Sequence, residues 1–317
     1  MGRRTLIIGP SQTGKTALAS ERCRQGAWFL NLDPARQSPN PPGCASLYGP
    51  GMAPMGFRFI GSLTPSQDPL AAMEALAWAA DQAGDLDLVV EWPVQTPTSL
   101  HVHVSRAVAN VLEPTSCIAI GIQEPQSLLQ LKPGCEVESL EPDTAPLRSK
   151  AGLSVRQKAA WATAFEDSQT HEVSLEGISV MGARFGSGLP LEPTELAELR
   201  DLGFISAHYA EVAHNVLYVV TPGWPGDETV SLALRHFACA TLVTCDPQDF
   251  AGIVCGLEDR MGTCFALGLL VRIDFDRGAL ILRSPAEAPL PVHRVRLGRT
   301  RLGEGFQPIG ELKPWQV

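Results

Sequence analysis

Gly9-Pro10-Ser11-Gln12-Thr13-Gly14-Lys15-Thr16 is a complete match to G-x-x-x-x-G-K-[ST], and it stands between an apolar run, TLII at 5–8, and a helical pattern at 17–25. That context, strand then loop then helix, is what a phosphate-binding loop requires. Glycines let the backbone curl until its N–H groups face an anion, and the following helix N-terminus adds a favourable dipole. Gly9, Ser11, Gln12, Thr13, Gly14, Lys15, Thr16 and Ala17 are therefore the expected nucleotide-binding residues, with Lys15 reaching the β- and γ-phosphates and the Thr16 hydroxyl available to magnesium. The alternative is an ordinary glycine turn before a helix, which the flanking pattern disfavours. The guanine-reading N-K-x-D motif of GTPases is not found in the sequence. The loop itself does not name the acceptor of a phosphoryl group.

Outward from the loop, apolar strands alternate with helical periods. Strands are expected at 5–8, 28–32, 58–61, 86–90 and 116–122, and helices at 17–25, from Asp68-Pro69 onward and from Thr98 onward. Asp68 followed by Pro69 is an N-cap with a proline at the first helical position. Leu70, Met73, Leu76 and Ala80 mark the expected apolar side of that helix, and Leu100, Val104, Val108, Val111 and Leu112 that of the next. The stretch from Asp33 to about Pro54 reads as a Pro- and Gly-rich loop. The fold class implied is α/β, a P-loop NTPase with a doubly wound parallel sheet.

Beyond about Gly182 the pattern turns to extended segments, at 215–221, 251–257 and 265–275, with helical stretches at 192–201 and 231–238. A smaller, strand-rich C-terminal domain is expected at 182–317, after a P-loop domain at 1–181 that includes a lid near 146–166. Asp276, Arg277 and Gly278 turn a hairpin between two apolar strands. In VHRVRLGRTRL, arginines alternate with Val292, Val295 and Leu297, which fits a half-buried strand whose basic face could guide a polynucleotide.

The eight cysteines include no C-x-x-C pair, which argues against a zinc site or a disulfide framework and places the chain in a reducing cytoplasm. No apolar run approaches the roughly 18 residues of a membrane span. A formal charge of −9 disfavours indiscriminate binding to a polyanion, so any nucleic-acid contact has to be local.

Several blocks, in order, resemble the polynucleotide 5'-hydroxyl kinase family, which includes the kinase of the eukaryotic pre-mRNA cleavage complex, the pre-ribosomal RNA processing kinases and shorter archaeal relatives. After the phosphate loop, FLNLDPARQ is similar to the family's strand ending in D-x-G-Q, PPGCASL to its proline-rich loop and RFIGSLTPSQDPL to its next block. LRSKAGLSVRQKAAWATAF looks like the arginine-bearing lid, and GARFGSGLPL, HYAEVAHNVLYVV and ALGLLVRIDFDRGALILRSP are similar to parts of the C-terminal domain. The likeness is to the short prokaryotic form, without the N-terminal β-domain of larger members.

The resemblance implies transfer of the γ-phosphate of ATP, or another NTP, to the 5'-hydroxyl end of RNA or DNA with Mg2+ as cofactor. It assigns Lys15, Asp33, Arg156 and Arg148 to catalysis, Asp33 orienting or deprotonating the attacking hydroxyl and the arginines folding over the triphosphate. Thr16, Asp33 and Glu91 are the candidate metal residues, Glu91 because it ends the apolar strand LDLVVE. Each has a plainer reading: Asp33 before Pro34 is an N-cap pair, Arg148 and Arg156 fit a solvated helix face, and Glu91 fits a loop cap. Trp92 is read either as a stacking clamp or as packed core, Trp161 and Phe165 as core, and His101 and His103 as flank residues on different faces.

Two blocks depart from the family pattern: D-x-G-Q becomes Asp33-Pro34-Ala35-Arg36-Gln37, and Glu91-Trp92-Pro93-Val94-Gln95-Thr96 stands in place of T-x-G-W. Ala160 stands where the lid has a further arginine. A non-catalytic nucleotide-binding interaction protein, or a kinase of a small metabolite, therefore remains as an alternative.

Overall fold

In the computed structural model, which describes residues 2–35, 41–94, 98–142, 150–285 and 292–312, the run before the phosphate loop is a fully buried strand, β1 (Arg4–Gly9), and the motif leads into helix α1 (Lys15–Arg24). The chain divides into two compact units, Met1–Trp161 and Ala162–Val317.

The first unit continues with β2 (Trp28–Asn31), β3 (Cys44–Gly49), β4 (Ala53–Phe59), α2 (Pro69–Ala83), β5 (Leu88–Pro93), α3 (Ser99–Leu112), β6 (Ser116–Ile120), α4 (Pro125–Leu129), β7 (Glu136–Leu140) and α5 (Lys150–Ala164). The sheet order is β4-β3-β2-β5-β1-β6-β7. Strands β2, β5, β1, β6 and β7 are parallel, whereas β3 and β4 are antiparallel to their neighbours, so the sheet is mixed rather than wholly parallel. Two strands are additional to those expected: β7 at the edge beside β6, and CASLYG, hidden in sequence because Pro and Gly flank it on both sides. From β1 the chain crosses toward β2 and later returns past β1 to β6. The 9–16 loop thus lies at the point where the winding reverses, the place where open α/β sheets bind ligands.

Helices cover both faces, so the central strands are apolar at nearly every position. Ile7, Phe29, Tyr48, Val89 and Ile118 pack with Ala19 and Cys23 of α1. Leu6, Ile8, Leu30, Leu47, Val90, Trp92 and Ala119 face α2 and α3 on the other side. Asp68 caps α2 as expected, its carboxylate accepting from Ala71 N–H at 3.0 Å. The face of α2 that is buried, however, is an alanine face (Ala71, Ala72, Ala75, Ala79, Ala83, with Leu76), while Leu70 is 64% exposed. On α3 the buried stripe is His101, Val104, Ser105, Val108, Ala109 and Leu112, with Leu100 and Val111 outside.

His101 is accordingly not a flank residue, whereas His103 is exposed. The imidazole of His101 is stacked on Trp92 with centroids 6.0 Å apart, and its Nδ1 lies 3.3 Å from Ser66 Oγ. Trp92 Nε1 donates to Ser105 Oγ at 2.9 Å, and Ser105 Oγ donates to the His101 carbonyl at 2.8 Å. The polar atoms of this small buried network satisfy one another within the α2–α3 layer.

In the second unit, β8 (Gln169–Ser174) and β9 (Ser179–Met181) precede β10 (Leu189–Pro190), α6 (Pro193–Asp201), β11 (Tyr209–Ala213), β12 (Val216–Val220), α7 (Asp227–His236), β13 (Thr241–Cys245), β14 (Ile253–Glu258), β15 (Cys264–Asp274), β16 (Ala279–Ser284), β17 (Arg294–Leu302) and β18 (Pro308–Glu311). One sheet is ordered β10-β11-β12-β13; the other strands join as β18-β17-β14-β15, with β16 on β15, β8 on β16 and β9 on β17. Because β8 and β9 pair with strands of this unit, residues 162–181 go with it, ahead of the change in sequence pattern near 182. The expected hairpin is present as β15 and β16, turning through Asp276 to Gly278.

The arginines of β17 are largely committed within the unit. Arg296 Nε and Arg294 Nη1 bind the two oxygens of buried Glu258 at 3.0 and 3.3 Å, and Arg301 lies 3.7 Å from Asp249. Removal of Glu258 takes away the carboxylate that Arg296, only 6% exposed, shares with Arg294. Glu258→Ala is expected to destabilise the protein by about 3–5 kcal/mol, read from urea unfolding.

Burial also lowers the pKa of His101 below its ordinary 6.5. The unfolded chain therefore takes up this proton first. The contribution of neutral His101 is complete above about pH 6.5 and is lost as pH falls toward the folded value. The melting temperature should drop between about pH 7.5 and about pH 5.5 and drop less in His101→Gln; equal drops would exclude His101 as a source of the slope.

Candidate active site

The loop between β1 and α1 adopts the curl its sequence predicts. Gly14 has φ 90°, a left-handed geometry that a side chain resists, and Gln12 near the apex also has positive φ, 69°. A Cβ at Gly9 would lie 2.8 Å from the Ile120 carbonyl and 2.9 Å from Thr13 Oγ1, so only glycine fits there. Thr13 Oγ1 and Lys15 Nζ both donate to the Pro10 carbonyl, at 2.9 and 2.7 Å. Lys15, Thr13 and Thr16 are nearly buried, whereas Ser11 and Ala17 are exposed at the rim.

Strand alternation decides what lies under the loop. In register, Ile7 of β1 stands beside Glu91 of β5, and Glu91 beside Asn31 of β2. Glu91 therefore points to the α1 face and Trp92 to the opposite one. The Glu91 side chain is 1% exposed, and its Oε1 accepts from Thr16 Oγ1, the second residue of α1, at 2.8 Å. Trp92 is 0% exposed in the α2–α3 layer, which rules out the stacking-clamp reading and selects packed core.

Asp33 follows the end of β2, half-buried. Its N–H donates to Asn31 Oδ1 at 2.9 Å and its Oδ1 accepts from Ala35 N–H at 3.2 Å, the turn that Asp-Pro predicts. The Pro34 carbonyl accepts from Gly43 N–H at 2.9 Å, closing the segment that follows. Asn31 was not singled out in sequence. It is a polar residue, 2% exposed, on a face otherwise filled by Phe29, Val89 and Ile7, and the signal available was an asparagine ending an apolar strand.

Of the lid residues, Arg156 is exposed on α5, and Arg148 and Gln37 lie outside the described residues. Trp161 is fully buried, its ring against Gly43, where a Cβ would come 3.4 Å from Cη2; Phe165 is likewise buried. Both are core, as their spacing implies.

Thr16 and Glu91 offer hard oxygen donors side by side. This fits magnesium, which typically takes one or two protein carboxylates and completes its shell with phosphate and water. Among the described residues no group of three or more His, Cys, Asp or Glu forms a dedicated metal cage. Nor, among those residues, is any helix long and apolar enough to cross a membrane.

The fold is α/β, built on a mixed sheet. No protein-family model matches the sequence. Over 332 residues the chain is 24% identical to a polyribonucleotide 5'-hydroxyl-kinase of Pyrococcus horikoshii, covering 97% of this chain and 88% of the relative. A polyribonucleotide 5'-hydroxyl-kinase of Thermococcus kodakarensis is 24% identical over 335 residues, covering 97% and 90%. Among solved structures, a chain of a Clp1p–Pcf11p complex superposes with a TM-score of 0.55 at 14% identity, covering 95% of this chain and 74% of that one. The structural likeness concerns the fold. In sequence the chain is similar to the polyribonucleotide 5'-hydroxyl-kinases over nearly its whole length, in agreement with the family its sequence blocks resemble.

Gly9→Ala should force the loop apart from β6. It is expected to destabilise the protein by about 1–3 kcal/mol and to weaken nucleotide binding, measured by thermal melts with and without ATP.

Proposed function

We propose that this chain is an ATP-dependent polynucleotide 5'-hydroxyl kinase acting on RNA ends, with P-loop residues 9–17 as the triphosphate site. The observation that carries the reading is the Thr16–Glu91 hydrogen bond beneath the loop, with Asp33 at the end of β2, the neighbour of the Glu91 strand. The names of the archaeal relatives support the acceptor.

In the reaction the 5'-hydroxyl oxygen bonds to the γ-phosphorus as the bridging P–O bond to the β-phosphate breaks, releasing ADP. The hydroxyl proton passes to the Asp33 carboxylate. Lys15, leaving the Pro10 carbonyl, pairs with the β- and γ-phosphate oxygens, and the loop N–H groups hold the remainder. Magnesium, when bound by Thr16 and Glu91, supplies charge neutralisation at those oxygens. Glu91 has little solvent to compete with it, so its contact with Thr16 fixes the position of both donors. Arg156 and Arg148 are assigned to the closing segment over the triphosphate.

Labelled γ-phosphate should be transferred from ATP to a 5'-hydroxyl RNA oligonucleotide. Lys15→Ala should abolish transfer, and Asp33→Ala should lower kcat about 10²- to 10⁴-fold without unfolding the protein. ATP bound with no labelled oligonucleotide would favour the non-catalytic module, and labelled small molecules in an acceptor screen would favour a metabolite kinase. Full activity in Asp33→Ala would remove Asp33 from the mechanism.

A further inference from the structure

The face of the sheet beneath the phosphate loop carries an unexpected row. In register across neighbouring strands stand Glu91 on β5, Asn31 on β2 and Ser46 on β3, all at most 3% exposed. Thr16 of α1 closes the row at the Glu91 end. Everything around it on this face is apolar: Ile7, Phe29, Tyr48, Val89. Buried polar residues cost stability unless they are satisfied, so a row of them in such surroundings marks a use other than packing. Ser46 Oγ makes no hydrogen bond among the described residues.

Within the row, Asn31 is tied directly to Asp33. Its Oδ1 accepts the Asp33 backbone N–H at 2.9 Å, and next to it the Leu32 N–H donates to the Glu91 carbonyl at 3.1 Å. These two bonds hold consecutive residues of the β2 end, one to Asn31 itself and one to β5. The backbone at Asp33 is thereby pinned two residues past the last strand residue, before the chain turns through Pro34 and Ala35. As an amide, Asn31 supplies an acceptor without adding a third negative charge to Glu91 and Asp33.

We propose that Asn31 is a positioning residue, which sets Asp33 relative to the Thr16–Glu91 pair through the bond from Asp33 N–H to its side-chain oxygen. This rests on the kinase reading above. A carboxylate that must take a proton from an attacking hydroxyl needs a fixed angle, and loss of a single anchor displaces it without touching the triphosphate.

The test compares Asn31→Ala, Asn31→Leu and Asn31→Ser in the full chain by three readouts: kcat and KM for ATP in phosphate transfer to a 5'-hydroxyl RNA, melting temperature, and hydrogen exchange of the Asp33 amide. Asn31→Leu keeps the buried volume without the acceptor, and Asn31→Ser keeps a neutral acceptor for the N–H two residues on in a side chain close to the size of Ala. The expected result is a fall in kcat of about 10- to 100-fold in Ala and Leu, with KM for ATP changed less than about threefold, faster exchange at Asp33, and recovery of most of the rate in Ser. Unchanged exchange at Asp33 in Ala and Leu, or equal loss in all three variants, would overturn the proposal. Should the unmodified protein transfer nothing to 5'-hydroxyl ends, the kinase reading fails, and the exchange of the Asp33 amide still decides whether Asn31 holds that turn.

Discussion

The hydrogen bond from Thr16 Oγ1 to Glu91 Oε1 joins the first turn of α1 to the end of β5, and the candidate site is organised around it. It can form only because β5 lies beside β1, so that Ile7 and Glu91 share a row, and because α1 covers the same face. A change of register by one residue would send Glu91 into the α2–α3 layer and bring Trp92 under the phosphate loop. Two adjacent residues with opposite destinies, one carboxylate and one indole, thus specify the register at the place where it matters.

The two layers have different tasks. On the α1 side the sheet carries its polar row and the phosphate loop. On the other side, the alanines of α2 let the helix lie close, and Trp92, His101, Ser66 and Ser105 complete a dense packing with its hydrogen bonds internal. The end of β5 is therefore held from behind by well-packed material while its carboxylate faces α1 and Thr16. Preorganisation of this kind places donors before a ligand arrives, so that little free energy is spent arranging them afterwards.

The curl of the 9–16 loop, the strands β1, β2, β5 and β6 and the cap at Asp68 were legible in sequence because each rests on local signals: glycine geometry, apolar runs and capping chemistry. What escaped was set by tertiary pairing. CASLYG becomes strand β3 only by lying antiparallel to β2, and no local propensity announces it between two Pro/Gly segments. The alanine face of α2 was misread because leucine draws the eye, although packing distance to the sheet favours the smaller side chain. His101 was read as a flank residue because it and His103 point to different faces, whereas the period of Val104, Val108 and Leu112 already placed position 101 on the buried stripe. Asn31 could be recognised only once Glu91 was seen beside it.

The arginines of β17 have a bearing on kinetics. Glu258 occupies Arg294 and Arg296, Asp249 stands near Arg301, and the whole chain is acidic. Arginines drawn onto carboxylates of their own unit displace fewer condensed ions from a polyanion that approaches them, so association there would gain less from lowering the ionic strength. Grip on the polymer would then be confined to its terminus. Such an enzyme would let go of each finished strand readily and sample ends one at a time, without sliding along the chain between them.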